Sequence, residues 1–155
     1  MPNIVVRIPA GVLDEAARST LVGAINAAAA ECERIPADPL KRWLCWVAVE
    51  EIAAGHWTCG GLDPLQSAIP VMLSVNVPAG VLDDASRARY AALMHQAVTG
   101  ALSGEQRRIA TSCMINDIAD GTWGVNGRIW RLPQMAAMAG YEHLQHLVQP
   151  QGATA

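Results

Sequence analysis

A proline stands directly after the initiator methionine, and a short β-branched segment, residues 3–6, follows it at once. If Met1 is removed, the ring nitrogen of Pro2 becomes a secondary amine at the start of a strand. An α-amino group titrates at about 7.7–8.0, and burial or a neighbouring cation lowers that pKa. Such an amine can act as a base or nucleophile at neutral pH without a histidine. Pro2 is therefore the candidate catalytic residue.

The composition describes one well-cored domain with few surface charges. Of the 155 residues, 52% are hydrophobic and 16% are charged, and the formal net charge is −3. A small domain with so few charges is expected to cover part of its apolar exterior with copies of itself. The negative charge and the lack of a Lys/Arg cluster in the sequence argue against nucleic acid as a partner.

The sequence also bears on where the protein works. It contains no apolar run of about 18 residues, the length that a membrane span needs. Its start lacks a basic segment followed by an apolar stretch, so we expect no signal peptide. The four cysteines are scattered without a CxxC pair, which fits reduced thiols. We therefore expect a cytoplasmic protein without a membrane partner.

The chain contains an internal repeat. Residues 9–14, PAGVLD, recur unchanged at residues 78–83, an offset of 69. A second block, residues 51–57, matches residues 117–123 at an offset of 66. Six identical residues in a row, followed by a second match in the same order, indicate a duplication.

Each half of the repeat has the pattern strand, helix, strand and glycine-rich hairpin. The first strands are short and β-branched, and Asp14 and Asp83 stand where a helix N-cap is expected. Apolar residues then recur at helical spacing. Two right-handed βαβ units side by side predict an α+β fold: a four-stranded sheet with both helices on one face. The other face is expected to pack against another subunit.

We predict one domain built of two repeats, a linker and a C-terminal extension. The predicted divisions are the whole domain at 1–155, the repeats at 1–61 and 70–128, the linker at 62–69 and the extension at 129–155. The extension has no counterpart in the first half. It contains a Met-rich helix that starts near Pro133 and breaks at Gly140, and residues 149–155 are expected to form a frayed tail.

These features together resemble the 4-oxalocrotonate tautomerase family. They are the proline after Met1, the βαβ unit and the Gly-x-aromatic hairpin at residues 55–57, and the tandem copies resemble the fused members of the tautomerase superfamily. The resemblance covers about residues 2–61 and 71–128. It implies that the processed proline amine moves a proton on an enol or dienol substrate, that arginines bind carboxylates, and that a hairpin aromatic lines the pocket. It also implies a trimer of fused chains that buries the open sheet face.

Residue by residue, Pro2 matches the catalytic proline of that family. Its counterpart in the second repeat is Val71, and Pro70 lies one residue earlier in mid-chain, where it has no free amine. We therefore expect one active site per chain. Trp57 and Trp123 match the hairpin aromatic of the two repeats.

At the positions where the family has its arginines, this chain has other residue types. The arginine at the start of the first helix falls on Val12 and Val81, and the one on the second strand falls on Trp46 and Ser112. A site without those guanidinium groups favours a smaller or less charged carbonyl acid than a dicarboxylate, or uses other arginines.

Three other arginines are candidates to bind the substrate carboxylate, because a guanidinium presents a planar fork that suits it. Arg42 lies just before the second strand, Arg128 follows the second hairpin, and Arg7 lies on the strand that Pro2 begins. Trp57 and Trp123 are candidate pocket walls, although a hairpin tryptophan also serves subunit packing.

Two sets of ligand-type side chains offer weaker signals. His56 and Cys59 form an H-x-x-C pair, but a structural zinc site needs four ligands and the sequence has no second pair at suitable spacing. We therefore expect no metal and no cofactor. His143 and His146 in the extension are expected to be exposed to solvent.

Glu50 and Glu51 on the second strand are candidates to activate a water molecule in a hydratase-like reaction. A polar end to an alternating strand explains them as well.

The sequence and its resemblance to this family therefore predict a tautomerase that acts on a small enol or 2-oxo acid. The Pro2 amine is expected to be its general base, and the expected assembly is a homotrimer. Two alternatives stay open. The first is a lyase or hydratase that resembles the dehalogenases and decarboxylases of the superfamily, with a protonated proline as acid and a carboxylate that activates water. The second is a non-catalytic trimeric protein that kept the fold.

Overall fold

The computed structural model describes residues 2–148; Met1 and residues 149–155, where the frayed tail was predicted, lie outside the described part. The elements in chain order are β1 (Asn3–Pro9), α1 (Glu15–Cys32), α2 (Pro39–Arg42), β2 (Trp46–Ile52), a 3₁₀ turn (Pro64–Gln66), β3 (Ala68–Pro78), α3 (Asp84–Ala101), β4 (Arg108–Ile118), β5 (Trp123–Val125), β6 (Arg128–Trp130), α4 (Leu132–Ala139) and a second 3₁₀ segment (Glu142–Leu147).

The main sheet has four strands in the order β2-β1-β3-β4. β1 pairs in parallel with β2, and β3 pairs in parallel with β4, as two βαβ units require. The two units meet through an antiparallel pairing of β1 with β3, in which Asn3 lies opposite Asn76 and Arg7 opposite Met72. The predicted α+β fold with a four-stranded sheet is confirmed.

The core lies between one sheet face and the helices α1 and α3, which pack against each other. Alternating residues of the two central strands are buried, among them Val6 on β1 and Leu73 on β3, each 0% exposed. Neighbouring residues such as Val5 and Ser74 point to the other face and are only half-buried. The sheet therefore has one covered face and one open face.

The two long helices begin in the same way. The side chain of Asp14 accepts a hydrogen bond from the backbone N–H of Ala17 at 2.7 Å, and that of Asp83 accepts one from Ser86 at 2.7 Å. Each aspartate thereby satisfies one of the unpaired N–H groups of the first helical turn. The two N-caps predicted from the repeat are present.

The antiparallel pairing places the starts of the two repeats at opposite ends of the sheet. We call these the Pro2 end and the Val71 end. The hairpin β5–β6 follows β4 and so lies at the Pro2 end. The glycine-rich segment after β2 lies at the Val71 end, where a single bridge joins Cys59 to Leu62. Each repeat therefore sends its hairpin segment to the end where the other repeat begins.

The segments around the second repeat differ in detail from the predicted divisions. β3 begins at Ala68, inside the predicted linker, because Ala68 already pairs with Arg108 of β4. In the extension, α4 begins beside Pro133 and ends at Gly140, whose φ of 70° is the left-handed conformation that closes many helices.

The extension packs into the core. Met135 and Tyr141 are 2% and 0% exposed. His143 is half-buried, its Nε2 lies 2.8 Å from the carbonyl oxygen of Val81, and its Nδ1 is buried, so the prediction of a solvent-exposed His143 is wrong. His146 is exposed, as predicted. Within residues 2–148, no helix has both the length and the apolar character that crossing a bilayer requires.

Candidate active site

Pro2 is buried at the start of β1. Its carbonyl oxygen accepts a hydrogen bond from the backbone N–H of Trp46 at 3.0 Å. This bond continues the parallel pairing of β1 with β2, in which Asn3 lies opposite Trp46. Cys45, the residue before Trp46, therefore lies beside Pro2.

A cavity of about 380 Å³ lies at the Pro2 end. Asn3, the neighbour of Pro2, forms part of its wall. Four indole rings supply most of the apolar lining, those of Trp43, Trp46, Trp123 and Trp130. Among the residues that the structure describes, none with a charged side chain lines this cavity. A cavity of this kind fits an apolar or aromatic group better than a second carboxylate.

The hairpin β5–β6 brings an arginine to this cavity's neighbourhood. Trp123 lies opposite Trp130, and Val125 lies opposite Arg128. Because alternate residues of a strand share a face, Arg128 shares a hairpin face with Trp130. Arg128 itself is exposed, so its guanidinium group is accessible from solvent.

Arg42 is the last residue of α2 and directly precedes the wall residue Trp43. Its Nε donates a hydrogen bond to the carbonyl oxygen of Pro36 at 3.3 Å, and the side chain is exposed. Of the predicted substrate-binding residues, Arg42, Arg128 and Trp123 thus lie at the same end of the sheet as Pro2.

Arg7 and Trp57 lie at the Val71 end. They line a separate cavity of about 300 Å³ with Met72, which pairs with Arg7 across the sheet. The Nε of Arg7 is 2.7 Å from a carboxylate oxygen of Glu50. Within one chain, the structure therefore does not bring Arg7 or Trp57 together with Pro2.

The two strand carboxylates considered for water activation lie at that far end as well. Glu50 is paired with Arg7, and Glu51 with Arg18 of α1. Both pairs are partly exposed ion pairs, which usually contribute little to stability. Neither carboxylate is placed to act together with Pro2 of the same chain.

The sequence reasoning missed Glu33. It is the residue that follows α1, and among residues 2–148 it is the one charged side chain in the buried core, at 0% exposed. Its carboxylate accepts a hydrogen bond from the hydroxyl of Tyr90 at 3.1 Å, and Tyr90 on α3 is also 0% exposed. Burial raises the pKa of Glu33, while the Tyr90 hydroxyl and His143 act in the opposite direction.

The connectivity of the first repeat places Glu33 at the Pro2 end, because α1 returns from the end of β1 to the start of the parallel strand β2 and Glu33 follows the last residue of α1. Burial, and then the charge of Glu33, raises the pKa of the Cys45 thiol to about 12. Cys45 is the residue beside Pro2. Glu33 at the end of α1 and Cys45 directly before β2 therefore both lie at the end of the sheet where Pro2 begins β1.

A signal for Glu33 is present in the repeat. At the offset of 69 residues, Glu33 corresponds to Leu102, and both residues follow an 18-residue helix. Tyr90 corresponds to Leu21 in the same way. Both leucines are buried. The residue after the long helix is thus a carboxylate in the first repeat, at the Pro2 end, and an apolar leucine in the second repeat, at the Val71 end.

The thiols allow a direct check of this arrangement. Burial raises the pKa of Cys32 and Cys113 to about 11 and that of Cys45 to about 12, whereas Cys59 is exposed. Because the thiolate is the reactive form, we expect iodoacetamide at pH 8 to modify Cys59 at least ~100-fold faster than the other three. Peptide mapping over time measures the four rates. Equal modification of Cys45 and Cys59 would contradict the buried placement of Cys45.

Comparison with known proteins identifies the fold. No protein-family model and no curated protein sequence matches the chain. Solved structures do match, and they share the tautomerase fold. The native fused 4-OT structure is 24% identical with a TM-score of 0.67, over 82% of this chain and 94% of that one.

Two further structures extend the comparison across the superfamily. Pt0534, inactivated by 2-oxo-3-pentynoate, is 16% identical with a TM-score of 0.67, over 88% of this chain and 98% of that one. N1, a member of the cis-3-chloroacrylic acid dehalogenase family, is 15% identical with a TM-score of 0.66, over 96% and 93%. The chain therefore has the fold of a fused, two-repeat tautomerase, and the resemblance drawn from the sequence is confirmed.

Proposed function

We propose that this chain is a tautomerase whose catalytic group is the Pro2 amine, exposed by removal of Met1. The amine takes a proton from a small enol or 2-oxo acid and returns it at another atom of the same substrate. The observation that carries the proposal is the position of Pro2: it is buried at the start of β1, next to Asn3 in the wall of the aromatic cavity. Proton transfer by one positioned base requires this arrangement.

The cavity indicates the class of substrate. Its tryptophan lining and lack of charged wall residues favour an enol or 2-oxo acid with an apolar or aromatic substituent. One carboxylate then remains to be bound, and Arg42 and Arg128 are its proposed ligands, because Arg42 directly precedes the wall residue Trp43 and Arg128 lies two residues before the wall residue Trp130. Arg7 and Trp57 remain candidates only for a site at the Val71 end.

We also propose a homotrimer. Fused 4-OT structures are described as trimers, in asymmetric and symmetric forms. In this chain the open sheet face and its edges carry exposed apolar side chains, among them Met114 on β4 at 47% exposed and Trp46 on β2 at 63%. Burial of such surface drives association. Analytical ultracentrifugation tests the proposal, and a monomer at micromolar concentration would overturn it.

The test of the catalytic proposal is covalent labelling of Pro2. The protein is treated with 3-bromopyruvate in a Cys59→Ser background, because the exposed thiol of Cys59 would otherwise react. We expect one adduct on the Pro2 nitrogen, located by peptide mass spectrometry, with parallel loss of ketonisation of phenylenolpyruvate. An intact mass that includes Met1, or full activity after labelling of Pro2, would overturn the proposal.

One observation favours a second function, a lyase or hydratase on the same scaffold. The Glu33 carboxylate lies at the Pro2 end, and a nearby carboxylate favours the protonated amine that such a reaction uses as its acid. Release of halide from 3-chloroacrylate, without ketonisation of enol acids, would select this function over the first.

The repeat supplies a matched pair of variants for the pocket wall. Trp123→Ala removes an indole from the cavity at the Pro2 end, whereas Trp57→Ala removes its repeat counterpart at the Val71 end. We expect Trp123→Ala to raise KM for phenylenolpyruvate about tenfold, because the loss of aromatic contact costs roughly 1–2 kcal/mol. Trp57→Ala should leave KM within about twofold of the parent. Equal effects of the two substitutions would contradict the placement of the substrate.

A further inference from the structure

Glu33 occupies a position that the fold does not require to be polar. A carboxylate after the last turn of a helix faces the negative end of the helix dipole, which is unfavourable. Burial adds a further cost unless the charge is paired or neutralised. The second repeat fills the equivalent space with Leu102 and Leu21, both buried, so an apolar pair packs equally well in this fold. The Glu33–Tyr90 pair must therefore be explained by something present only at the Pro2 end.

We propose that Glu33 is a positioning residue for Pro2: its carboxylate, hydrogen-bonded by Tyr90, holds the processed amine at the cavity and stabilises the protonated form that the amine adopts when it takes a proton from the substrate. This inference rests on the proposed function in taking Pro2 as the free amine. Glu33 acts through Pro2 and does not itself contact the substrate.

The direction of the effect follows from two opposing influences. Burial alone lowers the pKa of an amine, because it disfavours the charged form. A carboxylate within about 4–6 Å acts the other way, and an opposite charge typically shifts a pKa by ~1–3 units. Replacement of Glu33 by a neutral residue therefore lowers the pKa of the Pro2 amine. The base form becomes more abundant near pH 7 and the acid form less abundant.

The other groups that face Glu33 come from each element packed around it. They are Cys32 at the end of α1, Cys45 before β2, Tyr90 on α3 and His143 in the extension. Burial raises the pKa of both cysteines, to about 11 and about 12, and that of Tyr90 as well. These three stay neutral between pH 6 and 9. His143 is the remaining group, and a His143→Gln variant is measured in parallel to separate its influence.

The experiment measures the rate at which 3-bromopyruvate alkylates Pro2 as a function of pH, in the processed protein with Cys59→Ser. Glu33→Gln keeps an acceptor for the Tyr90 hydroxyl and removes the charge. We expect the midpoint of its labelling profile to fall by about one unit or more relative to the parent. Glu31→Gln is the matched control: this exposed carboxylate lies two residues away and pairs with Arg89 at 2.8 Å, so its midpoint should be unchanged.

A second variant keeps the test decisive if Glu33→Gln fails to fold. Glu33→Leu with Tyr90→Leu reproduces the apolar pair that the second repeat already uses, and its midpoint should fall by a similar amount. A third measurement reads the amine directly: the NMR titration of ¹⁵N-labelled Pro2 should give a midpoint about one unit or more higher in the parent than in Glu33→Gln. Midpoints equal to the parent in both variants, by labelling and by NMR, would overturn the inference.

The outcomes also separate this inference from the proposed function. A shifted labelling profile without ketonisation of any enol acid means that the proposed function fails and the inference holds. Ketonisation by Pro2, together with an unshifted labelling profile in Glu33→Gln, means that the proposed function holds and the inference fails. Retained Met1, read from the intact mass before labelling, overturns both.

Discussion

A variant in which one added glycine precedes Pro2 is expected to have a kcat/KM for ketonisation of phenylenolpyruvate about 10²–10⁴-fold lower than that of the processed protein. This factor is the usual contribution of a positioned general base. In this form the Pro2 nitrogen is an amide and has no basic lone pair. The hydrogen bond from the Trp46 N–H to the Pro2 carbonyl oxygen can still form, so β1 and β2 keep their register. The measurement is the decay of the enol absorbance, with intact masses for both forms.

Pro2→Ala serves as the control for this prediction. It keeps a primary amine at the same place and is expected to retain a larger share of activity than the glycine-extended chain. The thermal unfolding midpoints of all three proteins should agree. Undiminished ketonisation by the glycine-extended chain would exclude the Pro2 amine as the base and leave the fold without the proposed chemistry.

Leu73→Ala is expected to lower the free energy of unfolding by about 2–5 kcal/mol, the range for a leucine truncated in a core. Leu73 lies on β3, is 0% exposed, and pairs with Val6 of β1 and Cys113 of β4, so it belongs to the centre of the sheet that joins the two repeats. The loss combines the transfer of the removed methyl groups with the cavity left behind.

Urea denaturation at one fixed protein concentration measures this loss, because an oligomer's apparent stability depends on concentration. Leu62→Ala is the matched control: Leu62 is 74% exposed, and its truncation should change the free energy of unfolding by less than about 0.5 kcal/mol. Similar losses for the two substitutions would mean that Leu73 does not occupy the buried face of the sheet.

The fold could be predicted from the sequence because the pattern of strand, helix and strand occurs in both repeats. The N-caps at Asp14 and Asp83, and the helices that follow them, are local features set by residues close in the chain. The pairing of strands within each unit follows from the handedness of βαβ connections. The assignment of chain segments to repeats, linker and extension remains a prediction.

The cavity was harder to predict, because its walls come from parts of the chain far apart in sequence. Trp43 and Trp46 reach it from the start of the second strand, and Trp123 and Trp130 from the second hairpin. The two hairpin tryptophans that match the family aromatic, Trp57 and Trp123, are equivalent in the sequence. The antiparallel pairing of β1 with β3 decides that only Trp123 reaches Pro2 within one chain, and no local pattern specifies that pairing.

Glu33 and His143 were missed for a different reason. A glutamate after a helix is normally solvated, and a histidine in a polar C-terminal segment is normally exposed. Here the extension folds back over the core and buries His143 in part, next to a carboxylate that is buried fully. Long-range packing of this kind leaves little trace in a single sequence, apart from the contrast between Glu33 and Leu102 across the repeat.

The antiparallel pairing of β1 with β3 also has an evolutionary consequence. It gives the chain an approximate twofold symmetry, with Pro2 at one end of the sheet and Val71 at the equivalent place of the other. We expect substitutions near Val71, Arg7 and Trp57 to leave the proposed proton-transfer group of the same chain, Pro2, in place. The duplication thus provides a second copy of the same fold unit, which can change in sequence without altering the end that carries Pro2.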